Sequence, residues 1–509
     1  MTEPMQAGPV QAATEPRSSR PKLRILSGGR GLPDEPPDPE PQGSWLRRVE
    51  GWWTALLLLA GLALLRLCLA SVPGLAADEA YYWVWGQHLD LGYFDHPPLI
   101  AWLIRGSSAL VGHSELGVRA VCVLLGVGAV ALMTASTRRA WLTAAALASL
   151  PLFALGGLLA TPDVPLLFGW ALCLAGVVRG GRWWLLAGLG AGIAILGKHT
   201  GLMLLPLMLV ARPRDLRTRW PWLGLAITGA LLLPHVVWLA NHDWITLRFQ
   251  VDHGLGVGGG DSTVPGLGGL LEFLGGQVGL VSPLLFLCFC AYWAVGWMDR
   301  GIVRMWWLLS FPVFLFFALA SMLAPSEANW AAPAYLAAAA GLGHMSSRWR
   351  RIAWVGIGFA AVTSAVVTVH ALRPLWPLAR DPTLSLVGGE TLGQAVQAWG
   401  VEPIYTARYQ EAAWIRFYGG VHAEVLPGAG RANQLDDLPR WADPERALFV
   451  RPWRTSPPHK VEPYFGEREG PNTVVAPDIL LRRAGHWQVY ELWDYKGGLG
   501  DESGRVGAP

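Results

Sequence analysis

The chain has 509 residues, 52% of them hydrophobic and 15% charged, with a mean hydropathy of +0.33. Soluble domains carry about 25% charged residues, so this is the composition of a membrane protein. The formal net charge of +3 leaves out the strongly basic footprint of a nucleic-acid partner.

Residues 1–44 are rich in Pro, Gly, Arg and Glu and read as a disordered cytoplasmic tail rather than a signal peptide, since the first apolar run begins near Trp52. Crossing a bilayer takes roughly 20 apolar residues. Runs of that kind lie near 52–73, 117–136, 141–160, 163–179, 220–240, 273–297, 304–324, 328–346 and 352–372. The stretch 183–211 is too long for one span and carries Lys198-His199 in its middle. Six arginine clusters fall in the short loops: Arg47/Arg48, Arg138/Arg139, Arg179/Arg182, Arg212 to Arg219, Arg300/Arg304 and Arg348 to Arg351. Positive residues mark the cytoplasmic side, and all six share a side only if 183–211 crosses twice, as two short helices meeting at Lys198. The expectation is therefore an α-helical polytopic membrane protein of about eleven spans, N-terminus inside. The 28 tryptophans suit interfacial belts. Cys68, Cys122, Cys173, Cys288 and Cys290 all lie in apolar runs, without CxxC or Cys/His metal spacing, so no disulfide framework is expected.

This topology puts nearly every acid of the membrane portion on the external face, among them Asp78, Glu79, Asp90, Asp95, Glu115, Asp163, Asp243, Asp252, Glu272 and Glu327. The densest cluster is in the first external loop, 74–116, where Asp78-Glu79 is followed by Tyr81, Tyr82, Trp83 and Trp85. Acids beside a bilayer are costly, and the aromatics suit an interfacial helix that holds them at headgroup level. A carboxylate there can take a proton from a hydroxyl nucleophile. Asp95-His96-Pro97-Pro98 reads as a rigid turn, or as ligands for a metal or a phosphate. Thr161-Pro162-Asp163 is a helix cap, a site residue, or both. Lys198 is the one lysine of the membrane portion, and its partner is a carboxylate such as Asp163 or a ligand phosphate. The outer loop 241–260 ends in Gly256-Val257-Gly258-Gly259-Gly260, a lid-like run with no nucleotide P-loop pattern. Ser326-Glu327-Ala328-Asn329-Trp330 reads as a cap or a substrate-binding loop.

From about 375 the character changes. Short strands around 399–405 and 447–450 and a short helix over 411–418, separated by Pro/Gly turns, describe a small α/β periplasmic domain over 375–494, with a disordered tail at 495–509.

Taken together, Asp78-Glu79 after the first span, Gly92-Tyr93-Phe94-Asp95-His96-Pro97-Pro98-Leu99, Thr161-Pro162-Asp163-Val164-Pro165, Gly197-Lys198-His199-Thr200-Gly201 and Glu327-Ala328-Asn329-Trp330 resemble bacterial family 39 glycosyltransferases of the GT-C superfold. Protein O-mannosyltransferases and aminoarabinose transferases of lipid A are their relatives. The resemblance covers roughly 50–375, within a transmembrane domain read as 45–374. It implies a sugar donor linked to polyprenyl phosphate and transfer on the outer face to a lipopolysaccharide component, another envelope glycan or a protein. It implies Asp78 as general base, Glu79 beside it, and Asp163 as the family's second acid. Lys198, His199, His96 and Arg105 are the candidate cations for the donor phosphate. Tyr81, Tyr82, Tyr93, Asp95, Glu327 and Asn329 complete the candidate substrate site. Where aminoarabinose transferases carry Glu-Lys before Pro-Pro, this chain has Asp95-His96, which argues against an aminoarabinose donor. Metal use stays open, with Asp95, His96 and His253 as the residues that would supply ligands; no other cofactor is implied.

Two other readings compete. A transporter or flippase would line a path through the bilayer with polar residues, yet apart from Arg66 and Lys198 they gather at one face. A non-catalytic scaffold leaves the acid-rich, aromatic first loop without a purpose.

Overall fold

The computed structural model describes residues 52–255, 266–376, 381–438, 440–441, 444–453, 458–476, 478–479, 482–483 and 485–499. The expected tail at 1–44, the glycine run 256–260 and most of the tail at 495–509 lie outside the described residues, as does the side chain of His253.

The bundle begins with α1 (Trp52–Ala70), and the first loop supplies α2 (Ala77–Gln87) and α3 (Leu99–Val111). The chain returns through α4 (Glu115–Thr134), started by Ser114, whose hydroxyl accepts from the Gly117 N–H. Next come α5 (Ala140–Ser149), α6 (Pro151–Leu155), α7 (Asp163–Arg179), α8 (Trp184–Gly197) and α9 (Leu204–Ala211). The stretch 183–211 breaks at Lys198, which takes extended backbone between α8 and a short 3-10 turn. Then follow α10 (Trp220–Asn241), α11 (Ile245–Leu255), α12 (Leu267–Val281) and α13 (Pro283–Gly296). After these come α14 (Ile302–Leu308), α15 (Phe311–Ala320), α16 (Ala332–Leu342) and α17 (Ser347–Leu372).

Among the described residues, four segments are long and apolar enough to cross a membrane: α4, α10, the run Ile302–Ala320 and α17. The region 273–297 is not the single straight span expected. Ser282, with φ of 76°, and Pro283 break it, and α12 and α13 meet at 114°. Likewise 141–160 divides into α5 and α6, because Pro151 cannot continue the ladder of α5. Several crossings are thus built from pieces whose lengths fall short of a whole span.

Close approach holds α7 and α8 together. A methyl group at Gly169 would stand 2.4 Å from the Ala194 nitrogen, and one at Gly190 would stand 2.3 Å from the Cys173 nitrogen. Small residues of this kind let helix backbones touch where apolar burial gives no preference over lipid.

Beyond α17 come α18 (Gly389–Trp399) and α19 (Tyr409–Trp414), the latter running into a π turn over Ile415–Gly419. The strands are β1 (Ile404–Thr406), β2 (Ala423–Val425), β3 (Arg446–Pro452), β4 (Phe465–Val475), β5 (Asp478–Ile479), β6 (Arg482–Arg483) and β7 (His486–Tyr495). The main sheet has the order β2-β1-β3-β7-β4, with β1 parallel to both β2 and β3, and β7 antiparallel to β3 and β4. The paired strands β4 and β7 were not anticipated; in β4 the polar run Gly466–Asn472, with Gly470-Pro471 at its bulge, hides the strand pattern. This unit does not have a core to itself. Tyr81, Tyr82, Trp85, Tyr93 and Ile104 of the first loop are buried in one cluster with Ala412, Trp414, Phe417, Leu448 and Val489.

Replacing Gly190 by Ala should force α7 and α8 apart and lower the melting temperature of the detergent-solubilised protein, a loss of about 1–3 kcal/mol. An unchanged melting temperature would remove the close-packing account.

Candidate functional site

The site is assembled around α2. This helix lacks a polar N-cap residue, and Glu79 supplies the capping contact instead, its Oε2 accepting from the Ala76 N–H at 2.9 Å. The same carboxylate meets Arg119 of α4 in a two-pronged ion pair, Nε–Oε1 at 2.8 Å and Nη2–Oε2 at 2.6 Å, both side chains being 0% exposed. Oε1 also accepts from the Ala160 N–H at 2.8 Å. Arg119 spends its other donors on the carbonyls of Ala70, Pro73 and Gly74 at 2.7–2.8 Å. Both oxygens of Glu79 are committed to these partners, so the acid expected beside Asp78 ties the loop to α4 and to the segment before α7.

One residue earlier, the Asp78 side chain is open to solvent. It lies in a depression with protein on most sides, and this desolvation raises its carboxyl pKa above the usual 3.8. Two groups of the C-terminal unit oppose the rise: the Tyr409 hydroxyl, which donates to Asp78 Oδ1 at 3.1 Å, and the Arg431 guanidinium.

Asp95 is buried, and its carboxylate accepts from the Tyr81 hydroxyl at 2.8 Å and pairs with Arg431 Nη2 at 2.7 Å. Burial raises its pKa, with Arg431 and Tyr81 pulling the other way. The Arg431 guanidinium lies 4.7 Å from the Tyr409 ring centroid and 5.1 Å from that of Phe249 in α11, which fixes its direction. Its pKa is raised, since the attraction of Asp95 and Tyr409 outweighs desolvation. Neither Tyr409 nor Arg431 was singled out in the sequence. Both lie more than 300 residues from Asp78, and no local motif marks them.

The second group of site residues centres on Asp163 at the start of α7. Lys198 Nζ meets its Oδ1 at 2.7 Å, and Asn329 Nδ2 donates to Oδ2 at 2.9 Å. Of the two partners open to Lys198, the structure shows the carboxylate. The Asn329 turn is held by Gln277, whose Nε2 donates to the Ala328 carbonyl at 2.9 Å. Tyr82 joins the two groups: burial pushes its hydroxyl pKa well up, and Asp78, Asp95, Tyr409 and Asp163 all add to the rise.

Other expected members stand apart. His199 faces His235, with their Nε2 atoms 3.2 Å apart, so it does not point at the carboxylates. Arg105 is exposed on α3 and bonds the Gln87 amide at 3.1 Å. Glu327 is exposed, and its carboxylate has no partner among the described residues. The Tyr93 hydroxyl has the carbonyls of His88 and Trp85 within 3.1 and 3.2 Å as acceptors for its one proton and accepts from the Asp90 N–H at 3.0 Å, so it is taken up by the backbone around the end of α2. His96 lies against the Tyr82 ring, its Nδ1 3.5 Å from Gln250 Nε2. No group of three metal-binding side chains comes together among the described residues, and the Asp95 carboxylate is already taken by Tyr81 and Arg431.

A cleft of about 1080 Å³ opens beside this cluster. Trp85, Tyr93, Phe94 and Trp238 line one side and the 425–440 segment the other. Asp78 and Asp163 are not among its walls; Arg431 is the charged residue common to the cleft and the carboxylate cluster.

Residues 95–238 match the family described as dolichyl-phosphate-mannose-protein mannosyltransferase. The lipid A galacturonosyltransferase RgtD of Rhizobium johnstonii is 32% identical over 310 residues, 56% of this chain and 63% of that relative. The chain thus matches less than two thirds of the relative's length. Crystal structures of ArnT from Cupriavidus metallidurans, in the apo state and bound to undecaprenyl phosphate, superpose with TM-scores of 0.58 and 0.59. Identity is 16% and 17%, and the match covers 86% and 87% of this chain and 98% of each ArnT chain. The likeness establishes a shared fold of transmembrane helices with a small C-terminal sheet.

Two outcomes follow from the geometry. Arg119→Met should leave Glu79 as an unpaired buried charge and cost about 3–5 kcal/mol, read as loss of folded protein before any change in turnover. A folded, normally stable variant would contradict the anchoring role. Tyr409→Phe removes a hydrogen bond that favours the charged form of Asp78, so the Asp78 pKa should rise. A base works only when ionised, so activity falls as pH drops through that pKa, and the acid limb of kcat/KM should move to higher pH. A limb that stays put would separate Tyr409 from Asp78.

Proposed function

On the premise that this chain belongs to the family 39 type of GT-C membrane glycosyltransferases, we propose that it moves a sugar from a polyprenyl-phosphate donor to a glycolipid acceptor. The acceptor class is lipid A or a related envelope glycan, on the periplasmic face of the inner membrane. By analogy with the relative that transfers galacturonic acid to lipid A, the sugar is a hexuronic acid. The observation that carries the reading is a solvent-open, pKa-raised carboxylate, Asp78, near the Arg431-paired Asp95, with Tyr82 within the influence of both and of the Lys198-paired Asp163.

In this reading Asp78 accepts the proton of an acceptor hydroxyl as its oxygen attacks the anomeric carbon. The new C1–O bond forms while the bond from C1 to the phosphate oxygen breaks, and the electron pair leaves with polyprenyl phosphate. A single displacement inverts the anomeric centre. The leaving phosphate gains charge, and Lys198, released from Asp163, is the cation that meets it in this reading. Asn329 holds Asp163 in place while Lys198 turns to the phosphate. The finer topology belongs to the same proposal: about eleven crossings, with the C-terminal unit outside beside the first loop.

Mass spectrometry of polyprenyl-linked sugars in a deletion strain, and in one carrying Asp78→Asn, tests this. One accumulating species in both strains is expected, with activity in the Asp78→Asn protein down about 100-fold or more. No accumulation in either would overturn the enzyme reading in favour of transport or scaffolding. Accumulation in the deletion alone would remove Asp78 from the centre.

A further inference from the structure

The cations near the reacting centre are unequally available. Arg119 is 0% exposed and locked to Glu79, and Lys198 is 11% exposed and held by Asp163. Arg431 is 41% exposed at its side chain. With Asp95, the Ala432 carbonyl and Tyr409 satisfied, it still has N–H donors to offer. The rings of Tyr409 and Phe249 orient its guanidinium, so its direction is set before any ligand arrives.

Arg431 and Asp78 both bond the Tyr409 hydroxyl. Sharing that one oxygen keeps the two groups within about 6 Å of each other, inside the span of one pyranose ring, and the guanidinium lies 4.7 Å from the centroid of the same tyrosine ring. A sugar whose anomeric carbon is attacked beside Asp78 therefore presents its far side to Arg431. A planar guanidinium with paired donors is the group that recognises a carboxylate in two-pronged fashion.

From this arrangement, and resting on the glycosyl-transfer reading above, we infer that Arg431, delivered by the C-terminal unit, binds the C6 carboxylate of the transferred sugar and selects a uronosyl donor over the neutral hexosyl one. Asp95 is the counter-charge that holds Arg431 ready. A cationic amino sugar would meet Arg431 unfavourably, in keeping with the Asp95-His96 departure from the aminoarabinose pattern. The donor phosphate is the other oxyanion that this cation could serve, and the two sources are separable.

The test uses the full-length protein in liposomes, an isolated lipid A acceptor, and two undecaprenyl-phosphate donors, galacturonosyl and galactosyl, which differ at C6 alone. Wild-type protein should prefer the galacturonosyl donor. Arg431→Gln should lower kcat/KM for both donors through its contacts with Asp95 and Tyr409, yet cut the preference about 10- to 100-fold, with Arg431→Lys intermediate. Binding of undecaprenyl phosphate without a sugar should hold. An equal fall for both donors, or wild-type protein indifferent to the carboxylate, would overturn the assignment while leaving the transferase reading intact. Loss of undecaprenyl phosphate binding in step with turnover would give Arg431 to the phosphate instead. Release of no undecaprenyl phosphate from either donor by wild-type protein would overturn both readings.

Discussion

The buried pair of Glu79 and Arg119 is the constraint on which the first-loop end of the bundle depends. Its carboxylate caps α2 and accepts from Ala160, just before α7, while its guanidinium gathers the carbonyls that end α1. Three separate chain segments are thereby tied at a single point. Removing either partner would strand a charge where no water reaches it, so the arrangement behaves as all or none. Because Glu79 is pinned, its neighbour Asp78 is turned outward on the next position of the same helix. The sealed acid sets the direction of the open one.

The second constraint is the shared core between the first loop and the C-terminal unit. Leu75 donates its N–H to the Tyr418 hydroxyl at 2.7 Å, and its carbonyl accepts from the Trp414 indole at 2.9 Å. These bonds and the common aromatic cluster make α19 part of the wall of the site rather than an appendage. Tyr409 and Arg431 reach the carboxylates only because this docking holds. The C-terminal unit therefore bears on the first-loop carboxylates through electrostatics: Tyr409 and Arg431 oppose the rise that burial gives the Asp78 pKa, and Arg431 is the counter-charge of Asp95.

Charge is arranged in matched sets. Glu79 faces Arg119, Asp95 faces Arg431, and Asp163 faces Lys198. Asp78 has no ion-pair partner among the described residues, and contact with the Tyr409 hydroxyl leaves it able to take up a proton. The paired cations oppose the rise that burial and neighbouring acids give these carboxylates, as Arg431 does for Asp95.

Much of the helical plan was legible from hydrophobic run length, and the break at Lys198 followed from arginine placement alone. What run length cannot register is where a helix bends: Ser282-Pro283 and Leu150-Pro151 divide stretches whose composition is uniformly apolar. The carboxylates of the first loop were legible as well, since acids beside a bilayer are costly and stand out. Their division of labour was not. Asp78 and Glu79 are adjacent and chemically alike, and only the position of Arg119, forty residues on and hidden in an apolar run, decides which is sealed and which is open. Tyr409 and Arg431 sit in an ordinary-looking polar segment and gain meaning from a docking over 300 residues long in sequence. Sequence by itself determined the apolar helical character of the chain and the gathering of acids and aromatics in its first loop, because burial and charge costs are local. Tertiary structure decided which residues share the site, because that rests on long-range pairing that no local pattern encodes.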